Sequence, residues 1–127
     1  MTDEKRRAKV DQFIVEQIDS VPHLEALLLL WNSRPNPWSS ERMARALYVR
    51  TDVASKILAG LVQRELIVAD DDSFRCEEHS PETSQLLGDL DAIYRKEVVR
   101  ISSIIHSKAS AGVRDFAKAF RFTKEDQ

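Results

Sequence analysis

Asp52, then Ser55 or Lys56, then Ala59 and Gln63 recur every three or four residues, so in a helix they share one ridge. Lys56 and Gln63 are residue types that hydrogen-bond to base edges. Ser55 serves a base or a phosphate, and Asp52 accepts only from donors such as the amino group of cytosine. An ordinary solvated helix face has the same composition, so charge has to weigh the two readings. Segment 40–69 holds Arg42, Arg45, Arg50, Lys56 and Arg64 against Glu41, Asp52 and Glu65, a balance of plus two. Each phosphate met by such a cation releases counterions, which is where affinity for a duplex comes from. Segment 70–82 is the opposite: Asp70, Asp71, Asp72, Glu77, Glu78 and Glu82 stand against Arg75 alone, a balance of minus five that repels phosphate.

Other chemistries find little support. Catalytic and metal sites need several polar groups converging on one point. His23, His79 and His106 lie far apart in sequence, and the adjacent residues of Glu77-Glu78-His79 point in different directions, which reads as a solvated loop. Cys76 has no histidine pattern around it and reads as a small buried apolar residue. Three isolated glycines make no phosphate-cradling loop. The chain is expected not to be an enzyme and to carry neither metal nor cofactor.

The elements that must position the ridge are legible around it. Ser39 or Ser40 caps a short helix with Glu41 in its first turn and Met43, Ala44 and Leu47 at helical spacing. Residues 48–50 leave room only for a turn. Thr51 is the next N-cap candidate, and Val53, Ala54, Ile57, Leu58 and Leu61 form an apolar stripe reaching about Arg64. Leu66-Ile67-Val68-Ala69, the turn residues Asp70 to Ser73, and Phe74-Arg75-Cys76 then read as a hairpin, against which Trp38 supplies a candidate third strand. Helix, turn, helix and hairpin in this order are the winged helix-turn-helix plan.

The run from Ser55 to Ile67, Ser-Lys-Ile-Leu-Ala-Gly-Leu-Val-Gln-Arg-Glu-Leu-Ile, resembles the recognition helix and strand entry of bacterial winged helix-turn-helix regulators of the MarR and ArsR kind. The resemblance covers roughly a third of the chain. It implies a DNA-binding fold and, more weakly, a transcriptional role. In that family the residue before the Leu-Ile pair is commonly a glycine that ends the helix in the left-handed conformation. Here it is Glu65, which either accepts that conformation or ends the helix differently. Three aspartates at the wing tip also depart from the family, whose wings often carry Arg or Lys toward the minor groove. The run Asp115 to Phe122 is similar to the ends of small uncharacterised bacterial winged-helix proteins, a likeness that brings no activity with it.

Composition sets the frame. At 127 residues with 43% hydrophobic content, three glycines and four prolines, the class is mainly α with a small antiparallel β-hairpin, a winged helix-turn-helix core followed by a long C-terminal helix. One cysteine excludes an internal disulfide framework. The apolar run Leu27 to Trp31 is far too short for a bilayer span, and a cytoplasmic location without membrane contact is the expectation. Residues 1–9 read as a flexible charged arm, 10–79 as the winged-helix domain and 80–127 as a helical dimerisation segment.

Within the domain, a helix from about Ala8 to Asp19 carries Val10, Phe13, Ile14 and Ile18. Ser20 caps a second, the central core helix, running to about Ser33 before Arg34-Pro35-Asn36-Pro37 breaks it. From Ser80 and Pro81 one helix is expected to about Ser107, with Leu87, Leu90, Tyr94, Val98, Ile101 and Ile105 along one stripe. A domain of this size can hardly cover that stripe, so a second copy is expected to, although the N-terminal helix is the alternative cover. Beyond Gly112, Val113, Phe116, Ala117, Phe120 and Phe122 mark a last amphipathic helix. Trp31, Trp38 and Tyr94 either line an effector cavity or pack as core.

Two functions follow as expectations. One is a dimeric regulator that binds double-stranded DNA through Arg42, Arg45, Arg50, Thr51, Ser55, Lys56 and Gln63. The other is a winged-helix module that holds a protein partner and does not bind DNA.

Overall fold

Apolar spacing places each helix where burial stabilises it, and the caps fix where each begins. The computed structural model describes residues 2–109; the apolar run expected over 113–122 lies outside the described residues. Helix α1 spans Asp3–Gln17, so it already runs through the stretch read as a flexible arm. Thr2 accepts the Lys5 amide at 3.3 Å, and Asp3 and Glu4 complement the helix dipole. Its second half anchors it, through Val10, Phe13 and Ile14 in the core. Helix α2, Val21–Ser33, is capped by Ser20 and buries Leu24, Ala26, Leu27, Leu28, Leu30 and Trp31, as a central helix must.

Strand β1 (Trp38–Ser39) leads into α3 (Ser40–Leu47) and α4 (Thr51–Gln63), then β2 (Val68–Asp70) and β3 (Ser73–Arg75). The three strands form an antiparallel sheet in the order β1-β3-β2, with Trp38 and Ala69 on either side of Phe74. This is the winged-helix arrangement, third strand included. Trp31 and Trp38 are buried in the core, Trp38 donating from Nε1 to Ser33 Oγ at 2.9 Å. Half-buried Tyr94 donates to Glu25 at 3.3 Å.

The C-terminal helix is not continuous. Helix α5 covers Pro81–Lys96, Glu97 leaves helical geometry at φ −130° and ψ 46°, and a sixth helix, α6, occupies 98–109. At the break the Glu97 amide still donates to Ile93 O, its own carbonyl starts α6 by accepting from Ile101, and its carboxylate pairs with Arg7 and Arg100. The break lets the apolar stripe turn inward twice. Leu87, Leu90, Ile101 and Ile105 are buried within the single chain, with α1 and α2 packed on α5. Four of the six residues expected at a seam between copies thus lie in the protomer's own core, with the N-terminal helix, the alternative cover, packed on α5. Val98 remains 45% exposed, beside Val99 at 80% and Val15 at 50%. Among the described residues no helix is long and apolar enough to cross a membrane.

Glu65 adopts the left-handed conformation at φ 62°. Its amide donates to Val62 O at 2.9 Å and that of Leu66 to Leu61 O at 3.0 Å, a Schellman closure with the buried pair Leu61 and Leu66 beside it. The closure satisfies helix-end carbonyls, and a residue with a Cβ bears the steric cost. Glu65→Gly is expected to stabilise the protein by about 1 kcal/mol, seen as a higher urea midpoint at unchanged slope. A lower midpoint would show that the Glu65 side chain contributes more than its backbone costs.

Candidate nucleic-acid interface

Helix α4 has one dry flank. Ala54, Ile57, Leu58 and Leu61 are buried against α2 and α3. The opposite ridge is open: Thr51, Asp52, Lys56, Ala59 and Gln63 are exposed and Ser55 is half-buried. Val53, read as part of the apolar stripe, instead lies 39% exposed at the helix start. The dry flank and the wet ridge differ in their side chains by about half a helical turn, which is what the spacing dictates.

Helix α3 is set by Ser39, whose Oγ accepts the Arg42 amide at 3.1 Å, and by buried Met43 and Ala44. It ends in the left-handed Tyr48, after which the Val49 amide returns to Ala44 O at 3.0 Å and turns the chain into α4. The residue at the N-cap of α4 is Arg50, one earlier than expected, and no side chain caps that end.

The five cations counted along the sequence do not share one role. Arg45 and Lys56 are exposed and form no ion pair among the described residues. Arg50 is paired through Nε with Asp52 at 3.1 Å, in a solvent-exposed contact weak enough to be exchanged for another anion. Arg42 lies over the Trp38 ring at 3.9 Å, which holds it beside the sheet.

Arg64 turns away from the ridge altogether. It donates to Asp19 at 3.0 and 3.2 Å and to the Glu16 carbonyl at 2.9 Å. Lys108 of α6 meets the same corner, donating to Ile18 O at 2.8 Å with Asp19 3.8 Å away. Two cations thus serve the carbonyl end of α1, whose last turn has no basic residue of its own, and tie α4 and α6 to it. Sequence spacing carried no signal of this, because the partners are over forty residues apart.

The wing keeps its acidic character. Asp70 accepts from Arg75 Nε at 2.6 Å and Glu77 pairs with the same guanidinium at 3.2 Å, so the only cation of the wing is spent inside it. The Asp70 hydrogen bond pushes Arg75 further up. Asp71 and Asp72 form the exposed turn, Asp71 at φ 53°.

At the wing base, His79 is only partly solvated: its Nε2 lies 3.1 Å from Leu66 O and 3.8 Å from the Cys76 sulfur. Cys76 is buried as expected, and burial pushes its thiol up, away from the thiolate that nucleophilic chemistry needs. Among the described residues no three His, Cys, Asp or Glu side chains gather as a metal site would require.

No protein-family model matches the sequence, and no curated protein matches it. Solved structures do resemble the fold. The Mycobacterium tuberculosis MarR family protein Rv2887 is 16% identical and superposes with a TM-score of 0.54, over 95% of this chain and 86% of that one. MepR, a transcription regulator of the Staphylococcus aureus multidrug efflux pump MepA, is 15% identical with a TM-score of 0.50, over 98% of this chain and 92% of that one. The chain has the winged-helix fold of these MarR-type regulators.

Behind α4, His23 sits with Nδ1 2.6 Å from Ser20 Oγ, and its Nε2 lies beside Gly60. Burial lowers its pKa, helped by the charges of Arg64 and Lys108 and opposed by Asp19. The fold therefore favours neutral His23. Its contribution is complete above the unfolded value of about 6.5 and is lost as pH falls from there through the lowered folded value. The thermal midpoint should drop as pH falls below about 6.5, and less so in His23→Gln. Equal drops in both proteins would remove His23 from this account.

Proposed function

We propose that this protein is a DNA-binding transcriptional regulator that lays α4 in the major groove and acts as a dimer. The observation that carries the reading is the open polar ridge of α4 on a helix whose other flank is buried. Ser55, Lys56 and Gln63 are the candidates for base edges, while Arg42, Arg45, Arg50 and Thr51 serve the phosphates. With a net charge of minus two, long-range attraction to DNA is small, so contact at two half-sites about one helical turn apart has to supply the affinity.

For the seam between copies, the exposed Val15, Val98 and Val99 on the α1 and α6 side replace Leu87, Leu90, Ile101 and Ile105, which the protomer consumes in its own core. The acidic wing, its one arginine already paired, favours a second reading: a winged-helix module that binds a protein partner instead of DNA.

Anisotropy titration of a mixed duplex at low and moderate salt separates the two. The regulator binds, loses affinity steeply as salt rises, and binds roughly tenfold more weakly as Lys56→Glu or Arg50→Glu. Full binding in both reversals would exclude α4 as the reader, and no binding by the unaltered protein at low salt would favour the partner module. Sedimentation at micromolar concentration should give a dimer that Val99→Asp converts to monomer. A wild-type monomer would end the dimer proposal.

A further inference from the structure

Tyr48 is the residue that the folded chain explains least. It occupies the left-handed region at φ 58° and ψ 44°, where glycine would sit without steric cost, and it is 94% exposed. Neither the turn nor the core uses its side chain. The turn is closed by the backbone, through the Val49 amide on Ala44 O, and the adjacent Val49, not Tyr48, packs against the core. A large aromatic in an unfavourable backbone conformation, with nearly all its surface in water, is the kind of outlier that points to a contact outside the chain.

Its position says which contact. Tyr48 stands between exposed Arg45 on α3 and exposed Arg50 at the uncapped start of α4. A recognition helix in a major groove presents its N-terminal residues to the bases, which brings the preceding turn against the phosphates at the groove rim. A phenol there offers a hydroxyl donor to a phosphate oxygen and a ring face to the sugar, without adding charge.

We propose that Tyr48 is a DNA backbone anchor, its hydroxyl donating to a phosphate flanking the groove that α4 enters, beside Arg45 and Arg50. This rests on the DNA-binding reading and adds to it a residue that charge counting along the sequence passes over.

The test uses the full chain, a mixed duplex and two substitutions that separate the hydroxyl from the backbone. Tyr48→Phe keeps ring and conformation and should weaken binding roughly tenfold. Its salt dependence should match that of the unaltered protein, whereas Arg45→Ala lowers the slope by about one, because only a charged contact releases a counterion. Tyr48→Gly should bind at least as weakly while melting a few degrees higher, since it frees the turn of its steric cost. Opposite movement of stability and affinity is an outcome that a merely structural turn residue cannot give. Binding of either variant within twofold of the unaltered protein overturns the assignment and leaves the DNA reading standing. Failure of the unaltered protein to bind at low salt removes that reading, and the assignment of Tyr48 with it.

Discussion

Burial of Ala54, Ile57, Leu58 and Leu61 on the back of α4 is the constraint from which the rest follows. Once that flank is packed on α2 and α3, the rotation of the helix about its own axis is fixed, and Asp52, Lys56, Ala59 and Gln63 have nowhere to go but outward. Each large side chain so buried contributes about 1.5 to 3 kcal/mol, far more than any exposed ion pair on the ridge. Packing therefore sets the orientation, and the polar side chains inherit it.

The ends of α3 and α4 are held by the same device. Both close through a left-handed residue with a Cβ, Tyr48 and Glu65, and both return an amide to a carbonyl in the last turn. The angle between the two helices and the entry to the wing thus depend on backbone hydrogen bonds, so the side chains at these corners are free for other uses. At Glu65 the neighbours Leu61 and Leu66 reinforce the closure from inside. At Tyr48 the side chain stays in solvent.

Electrostatics is divided across the molecule. Arg64 and Lys108 are committed to Asp19 and the carbonyl end of α1, joining α4 to α6 behind the ridge. Arg75 is committed within the wing. What remains on the open side is Arg42, Arg45, Arg50 and Lys56, a smaller set than the sequence count, and it is offset by the acids of the wing turn. A surface of this kind favours close geometric fit over long-range attraction, because screening removes the latter first.

The sequence by itself determined the elements: the two helices of the motif, their caps to within a residue, the three-stranded wing with Trp38, the central α2, and the split of α4 into dry and wet flanks. These are written in local periodicity and turn chemistry, which act over a few residues. The length of α1, the break at Glu97, the covering of the stripe from Leu87 to Ile105, and the withdrawal of Arg64 were decided only by the tertiary structure. Each depends on partners distant in the chain, Arg7 with Glu97, Asp11 with Arg100, or Asp19 with Arg64 and Lys108. A spacing pattern shows which face is apolar; it carries no record of what comes to cover it.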